Sequence, residues 1–116
     1  MKKILIAEDN DSNYILMTYI LKKEFEFVRA KNGAEAVEMA MDESIDLILM
    51  DIKMPIMDGL EATQKIKQVR PDLPIIALTA NAFESDRAQA LSAGCNDFLS
   101  KPVNTVSCIG MIKKYI

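Results

Sequence analysis

Four of the five short apolar runs in this chain end at, or just before, a side chain that can do chemistry. The runs Ile4–Ala7, Leu47–Met50, Ile75–Leu78 and Asp97–Ser100 lead into Glu8 and Asp9, Asp51, Thr79 and Lys101, respectively. The remaining run, Phe27-Val28, ends in nothing reactive. If the runs are strands of an open parallel sheet, their carboxyl ends share one edge, and ligands bind in the crevice there. We therefore expect these five side chains to meet at one place.

Three carboxylates at one place repel one another and need a cation. At ~5 Å and an effective dielectric of ~20, each pair of unit charges costs roughly 3 kcal/mol. The single ammonium of Lys101 cannot balance three such charges, whereas a hard divalent cation can. Mg²⁺ prefers oxygen ligands and keeps several waters, so the pattern of Glu8, Asp9 and Asp51 predicts a magnesium site.

The other polar groups at this edge indicate phosphoryl chemistry. Asp51 ends the most apolar run, where a carboxylate can attack phosphorus and form an acyl phosphate. Pro102 keeps the backbone of Lys101 extended, and this ammonium can pair with Asp51 and then with a phosphoryl oxygen. The hydroxyl of Thr79 precedes the small residue Ala80 at the same edge.

The chain contains no histidine. This excludes a Ser-His-Asp triad, a histidine-ligated zinc site and a phosphohistidine carrier within the sequence. A phosphohistidine donor would have to come from a partner.

The apolar runs alternate with segments of helical period, which is typical of an α/β protein with a parallel sheet. Helices are predicted over Asp11–Lys23 with Leu16, Tyr19 and Ile20 on the buried face, over a segment that Asn32 and Glu35 cap, over Gly59–Val69 and Glu84–Ala93, and over Asn104–Tyr115 with Val106, Ile109, Ile112 and Ile116 inward. Right-handed crossovers then place helices on both faces of the sheet. We expect one (βα)5 domain over residues 1–116. Glu8 and Asp9 could instead only cap the first helix, but Asp11 or Ser12 could do that.

Composition narrows the class of protein. Half of the 116 residues are hydrophobic, which allows a core on both faces of a sheet. The net charge of −3 argues against a nucleic-acid surface, and no stretch approaches the roughly 20 apolar residues of a membrane span. The N-terminus lacks a signal-peptide profile. Cys95 and Cys108 fit no metal-binding spacing, so we expect free thiols in the cytoplasm.

These motifs together resemble the receiver domain of two-component response regulators, from Lys3 to about Ile116. The matching segments are the pair Glu8-Asp9, Met50-Asp51-x-x-Met54-Pro55-x-Met57-Asp58-Gly59, Ala77-Leu78-Thr79-Ala80 and Phe98-Leu99-Ser100-Lys101-Pro102. The segments Ala80-Asn81-Ala82-Phe83 and Asp86-Arg87 are similar to receivers attached to hybrid sensor kinases. The resemblance implies a flavodoxin-like fold with strand order 2-1-3-4-5.

The resemblance also implies a reaction. Asp51 would accept a phosphoryl group from a sensor histidine kinase or a histidine phosphotransfer domain, with Mg²⁺ as cofactor. Asp9 and Asp51 would bind the metal directly, Glu8 mostly through water, and Lys53 through its backbone carbonyl. Such a domain catalyses its own phosphorylation and slow dephosphorylation and is not otherwise an enzyme.

A conformational switch is part of the same implication. Thr79, Lys101 and the backbone N–H of Ala80 would hold the phosphoryl oxygens. Movement of Thr79 would draw Phe98, which stands where many relatives have Tyr, from an outward to an inward position. The surface of the last two helices and the strand between them would then change and contact a partner, or a second copy in a homodimer. The resemblance further implies a cis Lys101-Pro102 bond.

The residues of this chain support two alternative functions less well. A phosphatase of the haloacid-dehalogenase type needs a second Asp two residues after the nucleophile, where this chain has Lys53. A degenerate receiver that only binds partners is expected to lack the Asp, Thr or Lys, and all are present. The sequence leaves open the cognate kinase, the oligomeric state, and whether the chain is a stand-alone regulator or a segment of a larger protein. Lys53 and Asn81 lie where the family tunes phosphoryl lifetime, which is not readable here.

Overall fold

The computed structural model of the chain describes residues 1–80 and 84–116, so that Asn81 and its two successors lie outside the described residues. These residues form, in order, β1 (Lys3–Ala7), α1 (Asp11–Leu21), β2 (Glu26–Ala30), α2 (Gly33–Met39), β3 (Ile45–Asp51), α3 (Gly59–Val69), β4 (Ile75–Thr79), α4 (Glu84–Ala93), β5 (Asp97–Ser100) and α5 (Thr105–Tyr115). Within this described part, no helix has the length and apolar character needed to cross a membrane.

The five described strands form one parallel sheet in the order β2-β1-β3-β4-β5, which confirms the predicted topology. The register pairs Ala7 with Met50 and Thr79 with Ser100. The last residue of β3, Asp51, pairs with Leu78 of β4. The carboxyl ends of four strands therefore lie level at one edge of the sheet.

Helices cover both faces of the sheet, and neighbouring strand residues enter different cores. Leu5 packs in the cluster that contains Ile66 of α3, on the same face as α2 and α4. Ile4 packs in the cluster that contains Met17 of α1 and Ile112 of α5. Strands that are buried on both faces have continuous apolar sequences, which is why the runs were recognisable.

Side chains cap the helices at the edge where the strands end. The predicted cap of α2 is confirmed: the N–H of Glu35 donates to Asn32 Oδ1 at 2.8 Å, and the Glu35 carboxylate accepts from the N–H of Lys31 at 3.0 Å. The cap of α1 is Asn10, whose side chain accepts from the N–H of Asn13 at 3.0 Å. The N-cap position of α1 is therefore filled neither by Glu8 or Asp9 nor by Asp11 or Ser12.

The buried face of α1 differs from the prediction. Ile20 is buried, but Leu16 and Tyr19 are 40% and 64% exposed, and Met17 and Leu21 are buried instead. Apolar residues occur around most of this helix, so its period alone does not select the face that meets the sheet.

The prediction for α5 was wrong at one position. Ile112 is buried and Ile109 and Ile116 pack against the core, as expected. Val106, however, is 80% exposed, and Cys108 is buried in its place. Two residues correspond to about 200° around a helix, so Val106 and Cys108 cannot share a face.

Both cysteines are free and buried. Burial raises the pKa of the Cys108 thiol to about 11. Burial also raises the pKa of Cys95, although a hydrogen bond with Thr63 partly opposes this shift. Neither thiol is therefore readily converted to the reactive thiolate at neutral pH.

Two glycines should respond in opposite directions to replacement by alanine. Gly110 is exposed on α5, and outside its own helix backbone no described heavy atom lies within 4 Å of the place of a Cβ. Gly110→Ala should raise the free energy of unfolding by about 0.5–1 kcal/mol, because alanine is the better helix former. Gly59→Ala should lower it, since its Cβ would lie 2.1 Å from the Asp51 carbonyl oxygen. Urea unfolding measures both; a stabilised Gly59→Ala variant would contradict this packing.

Candidate functional site

The carboxyl ends of β1, β3, β4 and β5 border a cleft of about 300 Å³. Its lining contains seven of the eight residues singled out from the sequence: Glu8, Asp9, Asp51, Lys53, Thr79, Ala80 and Lys101. The eighth, Phe98, is not among the described lining residues. Asp86 and Gln89 of α4 also line the cleft, which the sequence did not indicate.

The three acids form a compact cluster. One oxygen from each of Glu8, Asp9 and Asp51 lies within 4.8 Å of the others, the one such acidic group found among the described residues. Glu8 and Asp51 are buried, whereas Asp9 is exposed at the mouth of the cleft. The predicted convergence of the acidic side chains is therefore present in the fold.

Lys101 lies between two of these carboxylates. Its Nζ is 2.8 Å from Glu8 Oε1 and 3.2 Å from Asp51 Oδ2. The sequence suggested the pair with Asp51 but not the shorter pair with Glu8. Burial alone would lower the pKa of Lys101, but the two acidic partners raise it on balance, so the ammonium form is favoured.

The surroundings of Glu8 disfavour the negative charge on its carboxylate. Burial raises its pKa, the Asp51 carboxylate adds to the shift, and Lys101 only partly opposes it. The cluster therefore holds more negative charge than its one bridging ammonium compensates. A set of oxygen donors in that condition fits a hard cation such as Mg²⁺.

Asp51 is the last residue of β3, and both of its carboxylate oxygens have partners. Oδ1 accepts from the backbone N–H of Lys53 at 3.3 Å, and Oδ2 faces Lys101. Lys53 itself is exposed, so its side chain extends away from the core. A buried carboxylate held at the wall of a cleft is suited to nucleophilic attack on a group bound there.

The loop after Asp51 is held by two close backbone contacts. The N–H of Gly59 donates to the Ile52 carbonyl at 2.7 Å, and the N–H of Gly33 donates to the Met57 carbonyl at 3.0 Å. A Cβ on either glycine would lie 2.1–2.2 Å from a backbone oxygen, so only glycine permits this approach. Ile56 has a φ of 71°, which is uncommon for a β-branched residue. The loop is therefore packed against the first turns of α2 and α3.

The remaining cleft residues come from the ends of β4 and β5. Thr79 is buried, and its carbonyl accepts from the N–H of Lys101 at 2.7 Å. The Lys101-Pro102 peptide bond is cis, as predicted from the resemblance. Ala80 is exposed at the edge of the cleft. Thr79 and Lys101 thus both line the cleft, and a backbone hydrogen bond joins them.

Phe98 lies outside the cleft, on the neighbouring surface. Its ring is partly buried against the core cluster that includes α3 and α4. The guanidinium carbon of Arg87 in α4 lies 5.1 Å from the ring centroid, within the range of a cation–π contact. Phe98 therefore connects α4 to β5.

Arg29, like Asp86 and Gln89, is a residue near the site that the sequence did not indicate. The run Phe27-Val28 leads to no residue of the predicted site, but Arg29 of β2 donates from Nε to the backbone carbonyl of Glu8 at 3.0 Å. The signal in the sequence was an arginine directly after the apolar run Phe27-Val28 in a partly buried strand, where a charged side chain needs a partner.

The sequence matches the response regulator receiver domain family over residues 4–113. Among curated proteins, it is 43% identical over 119 residues to hybrid signal transduction histidine kinase G of Dictyostelium discoideum, covering 97% of this chain and 4% of that protein. It is 37% identical over 119 residues to the polar-differentiation response regulator DivK of Brucella anthropi, covering 99% of this chain and 96% of DivK. The chain thus spans only 4–7% of the length of the hybrid kinases that it matches first.

Two solved structures are close in both sequence and shape. One is the receiver domain of a sensor histidine kinase from Pseudomonas aeruginosa PAO1 with a magnesium ion in its active site cleft, with a TM-score of 0.91, 35% identity and coverage of 98% and 96% of the two chains. The other is a complex from Saccharomyces cerevisiae between a histidine phosphotransfer protein and the receiver domain of its downstream response regulator, with a TM-score of 0.91, 33% identity and coverage of 97% and 87%. Since the family match spans almost the whole sequence and the sheet order agrees with the expected fold, the chain belongs to the response regulator receiver domains of two-component signalling.

Proposed function

We propose that this receiver domain accepts a phosphoryl group on Asp51 and acts as a phosphorylation-dependent switch. The observation that carries the proposal is the convergence of three carboxylates and one ammonium in a single cleft. A degenerate receiver would lack part of this set. We further propose that residues 1–116 act as one domain in the cytoplasm.

The residues present suit Mg²⁺ as cofactor. Asp9 and Asp51 would bind the metal directly, Glu8 mostly through water, and Lys53 through its backbone carbonyl. When bound, the metal supplies positive charge that offsets the carboxylates and the incoming phosphoryl oxygens. A related receiver holds magnesium in its cleft, which supports this assignment.

The chain's own residues carry the transfer step. An Asp51 carboxylate oxygen attacks phosphorus, a P–O bond forms, and the P–N bond to the donor histidine breaks, with the electron pair leaving on the imidazole nitrogen. Lys101, the hydroxyl of Thr79 and the N–H of Ala80 bind the phosphoryl oxygens. These donors stabilise the charge that spreads over those oxygens during transfer. The domain thereby catalyses its own phosphorylation and, by attack of water, its slow dephosphorylation.

The proposed donor is a sensor histidine kinase or a histidine phosphotransfer domain. The yeast complex and the similarity to hybrid kinases support this class of partner. We place the output surface on α4, β5 and α5, where Leu91 and Val106 are exposed apolar side chains. A homodimer contact is proposed for the same surface.

Replacing Asp51 should abolish phosphorylation. Incubation with acetyl phosphate and Mg²⁺ should add the mass of one phosphoryl group to the wild type but not to Asp51→Asn. The matched control is Asp58→Asn, because Asp58 caps α3 by accepting from the N–H of Glu61 and Asn is an equally good cap. An Asp51→Asn variant that is phosphorylated at the wild-type rate would contradict the assignment.

Without metal, the acidic cluster should destabilise the fold. Asp9→Asn and Asp51→Asn should each raise the melting temperature of the chelated protein by a few degrees, because each removes like-charge repulsion. Asp9→Asn is the cleaner test, because the Asp51→Asn variant also loses the ion pair between Asp51 and Lys101. Mg²⁺ should stabilise the wild type more than either variant. Calorimetry with and without chelator measures this, and variants that melt no higher than wild type would count against the cluster.

Thr79 should couple phosphorylation to the output surface. Beryllofluoride, a phosphoryl mimic, should shift the NMR signals of α4, β5 and α5 in the wild type. We expect these shifts to be lost in Thr79→Ala, because the methyl cannot donate to the mimic and Phe98 stays against Arg87. Equal responses in the two proteins would mean that Thr79 is not the coupler.

A further inference from the structure

Arg29 contacts the loop that carries two of the acidic residues. It is paired in register with Ile6, on the face of the sheet that α1 covers. Its Nε donates to the Glu8 carbonyl at 3.0 Å, and its Nη2 forms an ion pair with Asp11 at 2.9 Å. The guanidinium carbon lies 4.4 Å from the ring centroid of Tyr14. One side chain thus contacts the acidic loop and the first turns of α1.

The Glu8 carbonyl lies where the chain leaves the sheet. The N–H of Glu8 still bonds to the Ala30 carbonyl at 3.0 Å, so β1 remains attached to β2 up to this atom. Beyond it the chain turns into α1, and Arg29 supplies the donor for the Glu8 carbonyl. This carbonyl belongs to the peptide group that joins Glu8 to Asp9, so fixing its orientation restricts the directions of both side chains.

We propose that Arg29 is a positioning residue for the divalent cation: by holding the Glu8 carbonyl it sets the directions of the Glu8 and Asp9 carboxylates. This inference rests on the proposed function of the acidic cluster as a Mg²⁺ site. The side chain of Arg29 is only 15% exposed, and it is held by contacts with the loop between β1 and α1 and with the first turn of α1, so it forms a rigid support. Partners of this kind behind metal ligands often control metal affinity.

Simple electrostatics predicts the opposite effect of removing Arg29. Loss of a positive charge near the acidic cluster should strengthen the attraction of a cation. Loss of the support for the Glu8 carbonyl should weaken binding instead. The sign of the change in Mg²⁺ affinity therefore separates the two roles.

The experiment measures the Kd of Mg²⁺ by titration calorimetry on the wild type, Arg29→Met, Asp11→Asn and the double variant. Arg29→Met keeps an unbranched apolar side chain but removes the guanidinium donors, and we expect its Kd to rise about tenfold, the low end of effects seen for outer partners of metal ligands. Asp11→Asn removes the exposed ion-pair partner without changing the bond to Glu8, and its Kd should stay at the wild-type value. The double variant has the net charge of the wild type and should bind as weakly as Arg29→Met.

A second measurement distinguishes positioning from general stability. The rate of phosphorylation by acetyl phosphate should fall in Arg29→Met at limiting Mg²⁺ and recover at saturating Mg²⁺. Arg29→Lys should give an intermediate Kd, because one ammonium cannot bind both the Glu8 carbonyl and Asp11. If Arg29→Met does not fold, the Arg29→Lys variant is used for the same test. A lower melting temperature with unchanged Kd in these variants, or tighter binding, would overturn the proposal. Absence of Mg²⁺ binding by the wild type would instead refute the proposed function.

Discussion

The concentration of negative charge at one edge of a parallel sheet is the constraint on which this structure depends. Parallel strands bring their carboxyl ends to the same edge, and the register places Asp51 level with the residues that follow β1. The resulting cluster is partly buried, so solvent screens it poorly. Lys101 bridges Glu8 and Asp51, and the loops around them are held by backbone hydrogen bonds. The fold thus holds together groups that would separate in an open chain.

The position of Lys101 suggests how the charges are shared. Its ammonium lies closer to Glu8 than to Asp51. On the proposed mechanism, a cation held by the carboxylates would neutralise Glu8, and Lys101 would then be available to a phosphoryl oxygen on Asp51. Binding of the cation and binding of the phosphoryl group would then be positively coupled, because each reduces the unfavourable electrostatic free energy of binding the other.

Much of the fold and of the candidate site could be predicted because both depend on local sequence. Strands buried on both faces have apolar runs, and the polar residue after each run gives its position at the sheet edge. The face of α1 could not be predicted, since Leu16 and Met17 are equally apolar and only tertiary packing distinguishes them. The ion pair between Lys101 and Glu8 and the contact from Arg29 to the Glu8 carbonyl join distant parts of the chain. No spacing rule reports such contacts.

The burial of Cys95 and Cys108 has a practical consequence for the study of conformational change. Both thiols are shielded, and the pKa of each is raised. The native protein should therefore react only slowly with thiol-directed dyes and spin labels, even without substitution of its cysteines. A cysteine introduced at an exposed position such as Val106 would be the fast-reacting thiol, and a probe attached there would report on the outer surface of α5. Site-specific spectroscopy of this protein therefore does not require the removal of Cys95 and Cys108 beforehand.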